Sequence, residues 1–261
     1  MENAPFDAYS PRQIAERVDA VCVAKASTPL LSLVMLGVLA GAFIGLGSLF
    51  YVIVAADPSL GNAAQRVLGG VVFSLGLLLV VVAGAELFTG NNLLAMAWAH
   101  GCLTTRDVLH NWLVVCLANF VGAAGLAVLV FLSGHAEPYA AKYLEIAQAK
   151  SALPFWNAFF RGVLCNVLVC MAVWMTLAGR SVTDKAVAIL FPITAFVAAG
   201  FEHSIANMYF FPLAMLLEGE MRFSWLWTNL VPVIAGNLVG GSVLVALVYY
   251  VIYRRPAGKA P

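Results

Sequence analysis

Long apolar blocks alternate along this chain with short clusters of charged and turn-forming residues. A helix needs about 20 apolar residues to cross the hydrocarbon core of a bilayer. Six blocks reach that length: Leu30–Val54, Val67–Ala97, Leu109–Leu132, Ala152–Leu177, Ala186–Leu217 and Trp225–Tyr253. The pattern predicts six membrane-spanning helices. Ahead of them, Ser10-Pro11-Arg12-Gln13 has an N-cap serine, a proline at the first helical position and a capping-box glutamine. Ile14, Val18, Val21 and Cys22 then fall on one face, which predicts a short helix lying on the membrane surface. Glu2, Asp7 and Glu16 precede any long apolar stretch, so no secretory leader is expected.

Composition agrees with the pattern and removes several function classes. Of 261 residues, 62% are hydrophobic and 10% charged, far from the balance of a soluble domain or a disordered chain. Mean hydropathy is +0.92. A formal net charge of +1 leaves no basic surplus for nucleic acid. Cys22, Cys102, Cys116, Cys165 and Cys170 form no CxxC pair, so neither a zinc site nor a disulfide framework is expected. Six crossings put both termini on one side of the membrane. Arg12, Arg17, Lys25, Arg106, Arg180, Lys185, Arg254, Arg255 and Lys259 share that side, nine basic residues against five opposite (Arg66, Lys142, Lys150, Arg161 and Arg222). The positive-inside rule places both termini in the cytoplasm, for a multi-pass protein of the cell (inner) membrane. Residues 1–28 are then a cytoplasmic segment with its surface helix, 29–254 a transmembrane pore domain and 255–261 a cytoplasmic tail.

The spans repeat. Gly84-Ala85-Glu86 followed by Asn91 recurs 116 residues later as Gly200-Phe201-Glu202 followed by Asn207. Asn111 and Asn119-Phe120-Val121-Gly122 recur at an offset of 118 as Asn229 and Asn237-Leu238-Val239-Gly240. Gly37-Val38-Leu39 echoes Gly162-Val163-Leu164. Three spans per repeat is an odd number, so the halves (about 29–134 and 152–254) enter the membrane in opposite directions. In both repeats polar residues interrupt an apolar run at mid-span, at Glu86–Asn92 and Glu202–Asn207. Irregular backbone is tolerated at that depth only against protein or a water-filled cavity. The expected fold is an all-α membrane protein of two inverted three-helix repeats, with helices 2 and 5 broken and a substrate path where the breaks meet.

Polar residues at depth have rival roles. Glu86 and Glu202 are either a proton or cation relay, or structural acceptors for the free N–H groups of the broken helix. Their equivalent repeat positions favour the structural role. His203 has Leu87 as its counterpart, and a residue that breaks the internal symmetry is not demanded by the fold. It is the candidate for the central functional residue, against the alternative of a core histidine bonded to a backbone carbonyl. Lys150, just before the fourth span, is either a snorkelling anchor or an anion attractor at a pore mouth. Phe73, Leu77, Leu87, Phe88 and Phe196 are core or lipid-facing by default. Flanking a pore, they would exclude hydrated ions.

Three stretches resemble the formate/nitrite transporters: Gly84-Ala85-Glu86-Leu87-Phe88-Thr89-Gly90, Cys165-Asn166-Val167-Leu168-Val169-Cys170 with Trp174, and Gly200-Phe201-Glu202-His203-Ser204-Ile205-Ala206-Asn207-Met208. The resemblance runs from about Asp7 to Tyr253, and the N-terminal segment and the Arg180–Lys185 loop are more similar to the formate channels. It implies an aquaporin-like fold and a homopentamer with one pore per protomer. It also implies an outer constriction of Phe73 and Phe196, an inner one of Leu77 with Leu87-Phe88-Thr89, and Val169 lining the pore. His203 would sit between the constrictions near Asn166 and Asn207, with Lys150 at the outer vestibule. Where the formate channels commonly continue past Thr89 with serine and small apolar residues, this chain has Gly90-Asn91-Asn92.

The implied task is to carry a small monovalent anion past apolar rings. Leaving the anion charged is costly there, so Lys150 is expected to gather it and a proton to reach it near His203. Formate is the expected substrate, with nitrite or hydrosulfide as alternatives. No cofactor is expected and no nucleic-acid partner. A membrane redox enzyme is a remote alternative, since a bis-histidine haem needs a second mid-span histidine and HExxH is absent. A water or glycerol facilitator would carry paired Asn-Pro-Ala loops, which are absent too.

Overall fold

The computed structural model describes residues 8–255; the first seven residues, with Glu2 and Asp7, and the tail over 256–261, with Lys259, lie outside them. In chain order the helices are α1 (Pro11–Ala26), α2 (Leu30–Ala55), α3 (Asn62–Gly84), α4 (Leu94–Ala99), α5 (Thr105–Leu132), α6 (Ala140–Ser151), α7 (Phe155–Thr176), α8 (Val182–Ala199), α9 (Ser204–Glu218) and α10 (Leu226–Tyr253). Six of them, α2, α3, α5, α7, α8 and α10, are long and apolar enough to cross a membrane. Their outer faces keep large apolar side chains exposed, Leu31, Leu132 and Phe191 among them, as lipid-facing surfaces do.

Both anticipated breaks are present, and they follow one design. α3 stops at Gly84 and α8 stops before Gly200, two glycines at φ 84° and 71°. Side chains with a Cβ avoid that region, so glycine is what lets each chain turn out of its helix. The first break runs through 85–89 before a short 3-10 turn leads into α4. The second is shorter than the sequence pattern indicates, because Ser204–Asn207 already form the first turn of α9. Within each repeat the bracketing helices touch backbone to backbone. A Cβ on Gly41 of α2 would collide with the Asn119 carbonyl of α5, and one on Gly240 of α10 with the Val163 carbonyl of α7. These glycine faces therefore serve packing inside one chain.

Two elements depart from expectation. α1 carries the anticipated Ser10 cap, with the Ser10 N–H donating to Gln13 Oε1 at 2.9 Å. Its apolar face is turned onto protein, though. Ile14, Val18 and Cys22 are buried in a cluster with Leu94 and Met96 of α4, Trp174 of α7 and Val245 of α10. Burial against those side chains satisfies three of the four residues of the stripe; Val21 stays exposed. The second departure is α6, in a stretch that shows no apolar block. Tyr143 and Ala147 hold it to the bundle, and the Tyr143 and Tyr209 hydroxyls bond at 3.0 Å.

Candidate functional site

Each break is stapled by one asparagine from the helix that closes its repeat. Asn119 Nδ2 donates to the carbonyls of Gly37 (2.7 Å) and Glu86 (2.9 Å), and its Oδ1 accepts the Phe88 N–H at 2.9 Å. Asn237 does the same in the other half, donating to Gly162 (2.8 Å) and Glu202 (2.9 Å) and accepting the Ser204 N–H at 2.9 Å. The Glu86 N–H goes to the Leu36 carbonyl and the Glu202 N–H to that of Arg161. Freed backbone groups are thus satisfied by side-chain amides and neighbouring helices. This corrects the expectation for the two glutamates: among the described residues, neither carboxylate accepts from a backbone N–H of its break.

The glutamates instead anchor two matching ion-pair clusters. Lys25 Nζ lies 2.6 Å from Glu86 Oε1 and 3.1 Å from Asn91 Oδ1, while Asn91 Nδ2 donates to Glu86 Oε2 (2.7 Å) and Asn111 Oδ1 (2.9 Å). Lys150 Nζ lies 3.1 and 3.2 Å from the two Glu202 oxygens, while Asn207 Nδ2 donates to Glu202 Oε2 (2.7 Å) and Asn229 Oδ1 (2.6 Å). Two observations about single residues follow. Lys150 is no free charge, because it is paired with the buried Glu202. Asn207 serves this cluster and makes no side-chain bond to His203. Lys25, which the sequence pattern places only among the positive-inside residues, has a second part here, and the sequence carries a signal for it. Lys25 and Lys150 are 125 residues apart, the offset that also relates Gly37 to Gly162 and Pro29 to Pro154. The same offset makes α6 the counterpart of α1.

At the centre the symmetry fails, and the chemistry collects there. His203 is the N-cap of α9, and its Nδ1 accepts the Ala206 N–H at 3.2 Å. A ring nitrogen that accepts a backbone N–H carries no proton, so the neutral ring holds its proton on Nε2. That nitrogen lies 3.1 Å from Thr89 Oγ1. The Thr89 carbonyl accepts from Asn166 Nδ2 (3.2 Å) and from the Cys170 thiol (3.2 Å), and Asn166 Nδ2 also reaches Asn92 Oδ1 (2.7 Å). Thr89 therefore links the first break to the second. His203 is 3% exposed, and its ring stacks on Phe196 with centroids 5.8 Å apart. Phe196 in turn meets Phe73 edge-on, at 5.6 Å.

Two cavities approach this centre, lined by residues that are repeat counterparts and so lie at opposite faces. The far vestibule, away from the described chain ends, has a volume of about 440 Å³ and is bordered by Lys150, Glu202, His203, Phe73 and Phe196. The near vestibule is about 340 Å³ and is bordered by Lys25, Glu86, Asn91, Lys185, Leu77 and Leu87. Phe73 borders one vestibule and Leu77 the other, and the two stand one helical turn (~6 Å of rise) apart on α3, with the apolar collar between the vestibules. Phe88, Thr89, Val169 and Asn166 border neither cavity. All four are buried, Phe88 and Val169 in the apolar core around the collar and Thr89 and Asn166 in the central hydrogen-bond network. Among the described residues no cluster of His, Cys, Asp or Glu has metal-ligand geometry.

Six spans, two broken helices meeting at a symmetry axis and an apolar collar between two vestibules define a multi-pass membrane pore. The family model for formate/nitrite transporters matches residues 12–251. The chain belongs to the formate/nitrite transporter family and is a channel, not an enzyme. It is 36% identical to the formate channel FocA of Escherichia coli K12, with 96% of each chain covered. A solved pentameric formate channel with formate bound superposes with a TM-score of 0.78 at 34% identity, covering 86% of this chain and 97% of that one. An ion channel of the same family gives 0.84 at 29% identity, covering 92% and 98%.

Proposed function

We propose that this protein conducts formate across the inner membrane as a homopentamer with cytoplasmic termini, and that the anion is neutralised beside His203 before it enters the collar. The observation that carries this reading is the collar itself, with a neutral imidazole at its mouth. Moving an unpaired carboxylate into an apolar constriction costs tens of kcal/mol in the ideal limit and several in practice. Protonating a carboxyl group of pKa about 3.9 at pH 7 costs about 4 kcal/mol. Neutralisation is the cheaper route. Because Nδ1 is taken by the Ala206 N–H, the ring's one donor is Nε2–H, which turns from the Thr89 hydroxyl to the incoming anion while vestibule water supplies the proton. The Thr89 hydroxyl beside it is a second polar group for the acid to bond.

Support for formate comes from the named relatives, two of them formate channels, one pentameric and holding formate. The count of nine basic residues against five supports the orientation. Uptake of radiolabelled formate into proteoliposomes, with nitrite, hydrosulfide, acetate and lactate as competitors, tests the substrate. Saturable formate uptake is expected. Inhibition by nitrite without formate flux would assign a nitrite channel instead. In His203→Phe and His203→Asn proteins the pH dependence of uptake should change; an unaltered profile in both would remove His203 from the protonation step.

A further inference from the structure

We propose that the far vestibule is also a binding site for monocarboxylates too wide for the collar, held by Arg66 and Arg161, whose occupancy blocks the pore from that side. The blocking role rests on the pore path proposed above; the binding site does not. The cavity is bordered by four cations, Arg66, Lys142, Lys150 and Arg161, and by two carboxylates, Glu145 and Glu202. The lysines take both carboxylates, Lys142 with Glu145 at 2.7 Å and Lys150 with Glu202 at 3.1 Å. The two arginines are left, with no carboxylate in ion-pair range among the described residues. The charge expected of Lys150 as an anion attractor thus falls to two guanidinium groups.

Their placement is specific. Arg161 lies where its main-chain carbonyl accepts the Glu202 N–H, directly over the second break. Its repeat counterpart, 125 residues earlier, is Leu36, which borders the near vestibule. The fold accepts an apolar residue at that position, so the guanidinium is a feature of the far side alone. Arg66 reaches the same break from α3. Its terminal nitrogen lies against Gly200, 3.3 Å from where a Cβ on that residue would stand. A guanidinium presents paired N–H groups that match a carboxylate bidentately.

The rest of the wall is apolar and aromatic, with Tyr51, Ile146, Leu153 and Phe210 beside the collar residues Phe73 and Phe196. At about 440 Å³ the cavity falls in the range that holds drug-sized ligands and is much larger than formate needs. A ligand with one carboxylate and a flat apolar body fits this lining. With the Phe73 and Phe196 rings in edge contact, such a body does not pass.

Benzoate is the probe, at pH 7.5 where it is ionised. Calorimetry on the purified wild-type oligomer should show benzoate binding, weakened at least tenfold in Arg66→Gln/Arg161→Gln and less in Arg66→Lys/Arg161→Lys, which keeps charge but loses the fork. Unchanged elution and melting of the variants establish that the fold survives, both side chains being exposed. In vesicles of known orientation, benzoate on the far side should inhibit anion uptake and benzoate on the near side should not. Equal binding by wild type and the double glutamine variant would overturn the site; inhibition from the near side alone would overturn the blocking role. Binding without any formate uptake would instead sink the proposed substrate and leave this site standing.

Discussion

At the scale of single residues, function concentrates where the internal repeat is violated. Leu87 and His203 occupy equivalent positions, yet only the histidine can hold a proton and bond to Thr89 across the axis. That asymmetry is visible in the sequence, because comparing the halves needs no coordinates. Pairings across distance are different. Nothing in the chain says that Lys25 meets Glu86, 61 positions away, although the offset shared with Lys150 hinted at a common task. The pair makes a measurable prediction. Glu86 is 7% exposed, so Lys25→Met leaves an uncompensated carboxylate in a poorly solvated place and should destabilise the protein by about 2–4 kcal/mol. Adding Glu86→Gln should recover much of the loss. Thermal melts of detergent-solubilised protein decide it, and a double variant no better than Lys25→Met would show that the ion pair is not what is lost.

At the scale of elements, the breaks depend on groups that lie far from them in sequence. Polar residues recurring at mid-span showed that both runs break, at Glu86–Asn92 and Glu202–Asn207, and the structure puts the helix ends at the positive-φ glycines Gly84 and Gly200. The sequence pattern did not show what satisfies the backbone beyond, and the answer is Asn119 and Asn237. Each side chain fills three hydrogen bonds to main-chain groups, so replacement by leucine strands buried donors and acceptors at about 1–3 kcal/mol apiece. Asn119→Leu and Asn237→Leu should each abolish stable oligomer on size-exclusion chromatography, or lower the melting temperature sharply. Retention of wild-type stability in both would mean that water takes over the stapling. α6 escaped detection for a related reason: only Tyr143 and Ala147 of it are buried, too few to write an apolar stripe.

At the scale of the whole molecule, the arrangement sets the sign of the pH response. If the neutral acid is what passes the collar, then well above the acid's pKa its fraction rises tenfold for each unit that pH falls. Formate uptake at low concentration should climb accordingly between pH 8 and pH 6, measured with equal pH on both sides of the vesicle membrane. A flat profile would mean that the charged form crosses. The sequence by itself determined the membrane, the six spans, the inverted repeat and the two breaks, because span length, apolar periodicity and the recurrence of Gly-x-Glu are local properties of the chain. Only the tertiary structure decided how charge is distributed around the pore. Coulomb pairing depends on separations of a few ångströms between residues dozens of positions apart, and those separations pair Lys150 with Glu202 while leaving Arg66 and Arg161 facing the far vestibule.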